Sequence, residues 1–250
     1  SPQEIFLGFD LGSTCTKLVF NFAYSNLDQI AVPAISSLQA DKHPYYWKTI
    51  LWQSSNGEYS LLPIKDYTTI TDLKLEFILN SEKTPQELVY KCKETINLTA
   101  YICLMLRQSV GWLLTAKKAQ LEESIRLTFN FGYPSASLSN EHENEVFNNC
   151  CKAAISLFED NNSINEEIII EALKDTIEGR SSSFDYNIVP EFVASVTSYF
   201  DSTNAPQGTY LISDFGGMTI DTACFEHKID DYGERKIIIY GSTAERFGSE

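Results

Sequence analysis

The sequence predicts an α/β fold in which β-strands pack against helices, and three observations lead to that prediction. Residues 5–20 form two short apolar runs joined by a tight turn, which indicates a β-hairpin. Residues 210–225 repeat the same pattern later in the chain. Between them, residues 84–119 carry apolar side chains at helical spacing along one face. Strand pairs and long amphipathic helices in one chain are typical of the α/β class.

Composition limits the ligands that the chain can bind. Its 250 residues, 43% of them hydrophobic, are enough to bury a sizeable core. The net charge of −15 argues against binding to nucleic acid or to a membrane surface, because both require basic surface. A phosphate-bearing ligand would have to be held by backbone amides, hydroxyl groups and a metal ion.

The cysteines and the apolar segments indicate a reduced, cytoplasmic protein. The six cysteines contain no C-x-x-C pair, and the three histidines do not cluster with them. We expect no signal peptide. The most apolar run, residues 98–114, is interrupted by Arg107 and Gln108 and is too short to span a bilayer, so it predicts a buried helix.

The turn of the first hairpin reads D-L-G-S-T, residues 10–14. Gly12 is expected to adopt the positive φ of a tight turn, and its missing Cβ lets another group approach the backbone. Ser13 and Thr14 add hydroxyl donors, and the turn amides form a concavity suited to an anion. Asp10 would repel a phosphate unless Mg²⁺ lay between them. A hairpin turn without further function is the alternative interpretation of this segment alone.

The second hairpin repeats the design of the first. An apolar strand leads to Asp214, then to a glycine turn at Gly216 and Gly217, then to Thr219 and a second strand. Two such hairpins, roughly two hundred residues apart, could hold one polyphosphate from both sides.

The segments between the hairpins follow from turn and cap residues. Residues 24–71 look β-rich, with a hairpin at Asn56 and Gly57. Thr84, Pro85 and Glu87 read as a capping box that starts the long helix. After the long helix we predict a strand over 124–131, a helix over 140–158 that Ser139 caps, and a helix over 164–178 that Gly179 ends. A flexible connector is predicted over 180–186, and a further helix starts at 189–190. The last predicted strand is 236–240, and a tail over 241–250 follows it. Glu191, at the start of the fourth of these helices, either complements the helix dipole or has a functional role.

The motifs D-x-G-S-T, P-E-x-x-A-S and D-x-G-G-x-T-x-D occur in that order along the chain. Together they resemble the superfamily of actin, sugar kinases and heat-shock chaperone ATPases. The closest resemblance is to the seventy-kilodalton, DnaK-like heat-shock chaperones, supported more weakly by T-P-Q-E-L-V-Y-K-C-K-E-T, Y-P-S-A-S-L-S and E-F-V-A-S-V-T-S-Y-F. The resemblance implies the actin-like ATPase fold, related to ribonuclease H, with helices on both faces of a mixed sheet.

The resemblance also implies a role for each motif residue. Asp10 and Asp214 would flank a Mg²⁺ ion through its waters. Glu191 would orient the attacking water, together with Asp221. The phosphates of ATP or ADP would be bound by Gly12, Ser13, Thr14 and Cys15 from one lobe and by Gly216, Gly217, Met218 and Thr219 from the other. Phosphoryl transfer needs mainly positioning and charge neutralisation, so this set is chemically sufficient.

The chain departs from the family pattern at several positions. Met218 replaces the third glycine of the second loop, and Phe192 replaces the proline after the glutamate. The chaperones place a lysine near the γ-phosphate, for which Lys65 and Lys74 are the candidates here, although neither sits in a matching motif. Hydrolysis is therefore expected to be slow or lost while binding persists.

The resemblance predicts two lobes. Residues 1–207 would form the first lobe, with a small subdomain inserted at about 24–80, and residues 208–250 would begin the second. We expect this polypeptide alone to bind a nucleotide poorly, because the part of the family that binds adenosine follows this point. The leading interpretation is a Mg²⁺-dependent ATPase coupled to lobe closure, with a client or partner protein as a further possible ligand. A small-molecule kinase and a catalytically weak actin-like scaffold or filament protein are the alternatives.

Overall fold

The structure is a computed structural model that describes residues 2–23, 29–81, 84–133, 140–160, 162–180, 184–191, 193, 205–215 and 219–246, with the backbone alone at 81, 86, 87, 219, 221 and 244–246. The helices are α1 (Leu73–Ser81), α2 (Lys93–Ala116), α3 (Glu141–Leu157) and α4 (Glu166–Ile177). The strands are β1 (Gln3–Leu11), β2 (Cys15–Phe22), β3 (Ile30–Ala31), β4 (Trp47–Lys48), β5 (Leu51–Gln53), β6 (Tyr59–Ser60), β7 (Thr68–Ile70), β8 (Ile125–Tyr133), β9 (Asp185–Pro190), β10 (Gly208–Phe215), β11 (Thr219–Ile229) and β12 (Arg235–Arg246).

The chain divides into two compact units. The first contains Ser1–Phe131 and His142–Asn187, and the second contains Gly132–Glu141 and Ile188–Glu250. The main sheet has the strand order β3-β2-β1-β8-β9, with β4 paired to β2. Because β1 pairs antiparallel with β2 and parallel with β8, the sheet is mixed. The predicted α/β fold with a mixed sheet is therefore confirmed.

Strict alternation of side chains along β1 and β2 builds the core of the first unit. In β1 the buried side chains are Ile5, Leu7, Phe9 and Leu11, which recur at every second position as a half-buried strand requires. In β2 the buried positions likewise alternate, from Thr16 to Phe22. This register brings Asp10 opposite Lys17 at the turn end of the hairpin.

Helix α2 runs through the core of the first unit. Fourteen of its 24 residues are buried, as the prediction of a buried helix requires. Two buried hydroxyls are bonded within the helix itself, from Thr99 Oγ1 to the Thr95 carbonyl at 2.8 Å and from Ser109 Oγ to the Leu106 carbonyl at 3.1 Å. Among the helices that the structure describes, none is both long and apolar enough to cross a membrane.

A cluster of phenylalanine rings packs against β8. The ring of Phe129 lies 5.3 Å from that of Phe158 and 6.0 Å from that of Phe184, measured between centroids. Phe158 and Phe184 lie 5.1 Å apart in an edge-to-face arrangement, which aromatic pairs prefer over face-to-face contact. These rings join α3 and the start of β9 to the sheet.

A small second sheet, with the order β6-β5-β7, lies within the part of the chain predicted as an inserted subdomain, at about residues 24–80 and here called the inserted segment. The predicted hairpin is confirmed, since β5 pairs antiparallel with β6 and Gly57 in the turn has a φ of 84°. The Gly57 carbonyl accepts from the amide of Glu166, and the Asn165 side chain caps α4 by accepting from the amide of Ile168 at 2.9 Å. The inserted segment is thereby fixed to the start of α4.

The second unit contains an antiparallel sheet with the order β10-β11-β12. Its core is formed by Ala223 and Phe225 of β11, against which Tyr210 and Ile212 of β10 pack. The rings of Tyr210 and Phe225 are stacked at 5.7 Å. The strand predicted over 236–240 is longer than expected, because β12 continues through the predicted tail to Arg246.

The predicted capping box at residue 84 is wrong. Thr84 Oγ1 donates to the carbonyl of Asn80 at 3.0 Å, so its hydroxyl serves the preceding helix α1 instead. Gln86–Lys91 form a 3-10 helix without a side-chain cap, and the extended backbone of Cys92 separates this short helix from α2. Thr84 has this choice of partner because α1, which the sequence analysis did not predict, ends only a few residues earlier.

The predicted connector over residues 180–186 and the helix start at 189–190 also need correction. The chain from Asp185 to Pro190 is strand β9, and Tyr186 within it donates to the Asn148 side chain at 2.7 Å. Helical backbone begins only at Glu191. The helices predicted over 140–158 and 164–178 are confirmed within two residues as α3 and α4, and α4 ends near Gly179, whose φ is 77°. The predicted cap Ser139 lies outside the described residues. The long helix predicted to residue 119 ends at Ala116.

Candidate functional site

The first predicted site lies at the turn between β1 and β2, within the first unit. Asp10 is near the end of β1, Gly12, Ser13 and Thr14 form the turn, and Cys15 is the first residue of β2. The chain brings these predicted residues together because they are consecutive.

Gly12 is required at this turn for a different reason from the one expected. Its φ is not positive, so the expectation of a left-handed conformation is wrong. A Cβ built on Gly12 would instead lie 2.2 Å from the carbonyl oxygen of Cys15. Only glycine allows this close approach of two backbone segments, and the turn is consequently tight.

Thr49, which follows β4, holds the carbonyl groups of the turn. Its hydroxyl donates to the carbonyl of Gly12 at 2.9 Å, and its amide donates to the carbonyl of Thr14 at 3.1 Å. Within the part of the chain that the structure describes, the N–H groups of Gly12, Ser13 and Thr14 have no hydrogen-bond acceptor. None of the three residues is buried. The turn thus has engaged carbonyls and free donors, as an anion-binding turn requires.

Asp10 forms an ion pair with Lys17 on the neighbouring strand. Lys17 Nζ lies 3.1 Å from Asp10 Oδ2, and about half of each side chain is exposed, at 48% and 49%. Burial lowers the pKa of Lys17, but the charge of Asp10 and the hydrogen bond to it outweigh that effect and raise the pKa above its ordinary value. The Lys17 ammonium also lies 5.7 Å from the centroid of the Tyr46 ring. A fully protonated lysine therefore stands beside the turn.

Lys17 is a further candidate for the lysine near the γ-phosphate, for which the sequence suggested only Lys65 and Lys74. Lys74 is buried in the first turn of α1, and Lys65 is exposed in the loop between β6 and β7. The signal for Lys17 was present in the sequence, because a hairpin closed at Leu11 and Thr16 necessarily pairs residue 10 with residue 17.

The second predicted site lies in the second unit. Asp214 is exposed in β10, and the strand register pairs it directly with Asp221 of β11. One position earlier, Ser213 Oγ and Thr222 Oγ1 form a cross-strand pair at 3.3 Å.

The remaining predicted site residues are only partly described. Gly216, Gly217 and Met218 lie outside the described residues, and Thr219 is the first residue of β11. Glu191 is half-buried and begins the helical backbone after β9. That the two hairpins bind one ligand, with Glu191 near it, stays a prediction.

The groups of the first turn that could bind Mg²⁺ and phosphate are the Asp10 carboxylate and the backbone N–H groups. Among the described residues, no group of three or more histidine, cysteine or acidic side chains could hold a metal ion directly. A Mg²⁺ ion bound through its waters to one or two carboxylates does not need such a group. Asp10, which is half exposed, and the free amides of the turn fit this kind of binding.

Comparison with known proteins gives little further information. No protein-family model matches the chain, and no curated protein matches it. Among solved structures, the type II variant of the Ppx/GppA phosphatase from Aquifex aeolicus is 10% identical, with a TM-score of 0.29. The similarity covers 95% of this chain and 52% of that one, so the chain spans about half the length of the phosphatase. A similarity of this size supports no argument about function.

Proposed function

We propose that this chain is the nucleotide-binding part of an ATPase with the actin-like fold, in which two aspartate-led hairpin turns bind the phosphates of ATP and its Mg²⁺. The observation that carries the proposal is the first turn, where Thr49 engages the carbonyls of Gly12 and Thr14 and the turn amides are left free. Asp10 stands two residues before that turn. The second hairpin repeats the order of strand, aspartate, turn and strand around Asp214.

The charge of the protein supports binding by amides and a metal rather than by a basic pocket. A chain with net charge −15 has few cations to spare for a triphosphate. Backbone N–H groups recognise phosphate without a side-chain charge, and Mg²⁺ neutralises the repulsion from Asp10 and Asp214. Lys17 adds one positive charge beside the first turn.

The proposal also includes hydrolysis of the bound ATP and its coupling to closure of the two lobes. Glu191 and Asp221 would orient the attacking water, as the motif resemblance implies. Binding of one nucleotide by two lobes would close them, and that closure would be the output of the cycle. Loss of hydrolysis with retained binding would indicate a scaffold of the same fold.

The proposal predicts Mg²⁺-dependent ATP binding that needs both aspartates. Because this polypeptide alone is expected to bind a nucleotide poorly, the NMR titration uses Mg-ATP in large excess; we expect weak binding that shifts amide resonances of the wild-type chain, and EDTA should reverse the shifts. Replacing Asp10 or Asp214 with asparagine removes a charge that would hold the ion's waters. Each of Asp10→Asn and Asp214→Asn should weaken Mg-ATP binding by about tenfold or more.

A control of the same chemistry is available in the second unit. Asp231 is exposed in the turn between β11 and β12, and Asp231→Asn should leave the affinity unchanged. Equal affinities for the wild type, Asp10→Asn and Asp214→Asn, or binding that persists in EDTA, would contradict the proposal.

A further inference from the structure

Three hydroxyl groups form a buried chain beneath the first turn. The Tyr101 hydroxyl of α2 donates to Thr16 Oγ1 at 2.9 Å, and Thr16 Oγ1 lies 3.0 Å from Thr49 Oγ1. The Thr49 hydroxyl then donates to the Gly12 carbonyl at 2.9 Å. Tyr101 and Thr16 are fully buried and Thr49 is 2% exposed, so the three side chains are shielded from solvent.

The direction of donation in this chain follows from counting protons. The Gly12 carbonyl can only accept, so the Thr49 proton is directed to it. Thr16 must then donate to Thr49, and Thr16 can accept from Tyr101. All three protons point toward the turn, and successive bonds of one direction polarise and strengthen each other. Burial raises the pKa of Tyr101, which keeps its proton in place.

The two bonds from Thr49 fix the orientation of peptide groups that face the proposed ligand. In a trans peptide the C=O and the following N–H point in opposite directions. Holding the Gly12 carbonyl toward Thr49 therefore turns the Ser13 N–H away from it. Holding the Thr14 carbonyl does the same for the Cys15 N–H, at the start of β2. The amide of Ser13 has no acceptor among the described residues, which leaves it available to an anion.

We propose that Thr49 is a positioning residue of the phosphate site, and that it sets the direction of the Ser13 amide in the turn with support from Thr16 and Tyr101. This inference rests on the proposed function. It also gives the inserted segment a role, because Thr49 belongs to that segment and lies 37 residues from Gly12 in sequence. Tyr101 reaches the same point from α2: its hydroxyl lies nearest to Thr16 Oγ1, and the Lys48 carbonyl, at 3.3 Å, is the more distant acceptor for the same proton.

The inserted segment is tied to α2 by further bonds that stabilise the position of Thr49. The Lys48 amide donates to the Gln39 carbonyl at 2.7 Å. The Gln39 side chain in turn pairs with the Gln108 side chain of α2 at 3.2 Å. Thr49 is therefore held from both sides, by the hydroxyl chain and by the backbone of its own segment.

The test compares three variants, Thr49→Val, Thr49→Ser and Tyr101→Phe. Valine keeps the branched shape of threonine but removes the donor to Gly12, whereas serine keeps the donor. We expect Thr49→Val to weaken Mg-ATP binding about tenfold, Tyr101→Phe about threefold, and Thr49→Ser by no more than about twofold. The second measurement, made without ligand, records the amide resonances and hydrogen exchange of Gly12, Ser13 and Thr14.

These two measurements separate the positioning role from stability and from the proposed function. In the ligand-free protein, Thr49→Val should shift the Ser13 amide resonance, and Thr49→Ser should restore it. Unchanged turn amides in Thr49→Val, or a loss of affinity in Thr49→Ser equal to that in Thr49→Val, would overturn the inference. If wild-type protein bound no Mg-ATP, the proposed function would fail, while the ligand-free resonances would still show whether Thr49 orients the turn.

Discussion

Gly12→Ala is expected to destabilise the first unit by about 3 kcal/mol and to abolish Mg-ATP binding. The added Cβ would lie 2.2 Å from the carbonyl oxygen of Cys15, well inside the van der Waals distance. That oxygen belongs to the backbone at the start of β2, so the clash cannot be relieved by a side-chain rotation. The turn must open, and the bonds from Thr49 that orient it must lengthen or break.

The matched control for this prediction is Gly111→Ala in helix α2. A Cβ at Gly111 meets no heavy atom within 4 Å, so alanine should stabilise the protein by about 1 kcal/mol through helix propensity. Chemical denaturation measures both variants against the wild type, and a titration with Mg-ATP measures binding. Equal stability of Gly12→Ala and the wild type would show that the turn is looser than the structure indicates.

Phe129→Ala is expected to lower the free energy of unfolding by about 3–5 kcal/mol. The Phe129 side chain is fully buried, and it contacts the rings of Phe131, Phe158 and Phe184. Alanine would leave a cavity at the point where α3 and the start of β9 join the sheet. Because the four rings are packed against one another, the neighbours cannot move in to fill the space without losing contacts of their own.

An exposed phenylalanine provides the matched substitution. Phe215 at the end of β10 is 74% exposed, so Phe215→Ala should change the free energy of unfolding by less than about 0.5 kcal/mol. The two variants are compared by urea denaturation followed by circular dichroism. A loss below about 1 kcal/mol in Phe129→Ala would mean that the aromatic cluster is not part of the stable core.

The local sequence was sufficient to predict those elements whose structure depends on a few neighbouring residues. Both hairpins, the turn at Gly57 and the end of α4 at Gly179 were predictable because each depends on a few consecutive residues. The requirement for glycine at position 12 was predicted with the wrong conformation. The approach of the Cys15 carbonyl depends on the three-dimensional course of the turn, which a propensity for positive φ does not represent.

The elements that were predicted wrongly depend on contacts with other parts of the fold, which override the local sequence pattern. Thr84 had the sequence of a helix cap, but the end of α1 lies close enough to take its hydroxyl. Strand β9 was interpreted as a connector because its polar residues conceal the alternation. Its pairing comes from the edge of β8 and from contacts such as that of Tyr186 with Asn148, which are 38 residues apart.

In the candidate site, too, the residues that are consecutive in sequence were predictable, and those brought in by the fold were not. Asp10, Gly12, Ser13 and Thr14 were predictable as a motif, and Lys17 follows from the hairpin register. Thr49 and Tyr101 were not predictable, because their link to the turn depends on how the inserted segment and α2 pack on β2. A turn motif can therefore be found from sequence, whereas the residues that hold its carbonyls are found only from the fold.

The most direct test of the central claim is an NMR titration in which Mn²⁺ replaces Mg²⁺ in the nucleotide complex. A paramagnetic ion broadens the amide signals of residues close to it. If both aspartate-led turns bind one metal–nucleotide complex, Mn-ATP should broaden the signals of Gly12 and Ser13 together with those of Gly216 and Gly217, and excess Mg-ATP should restore all of them. Broadening at one turn alone, or equal broadening by Mn²⁺ without ATP, would contradict the account.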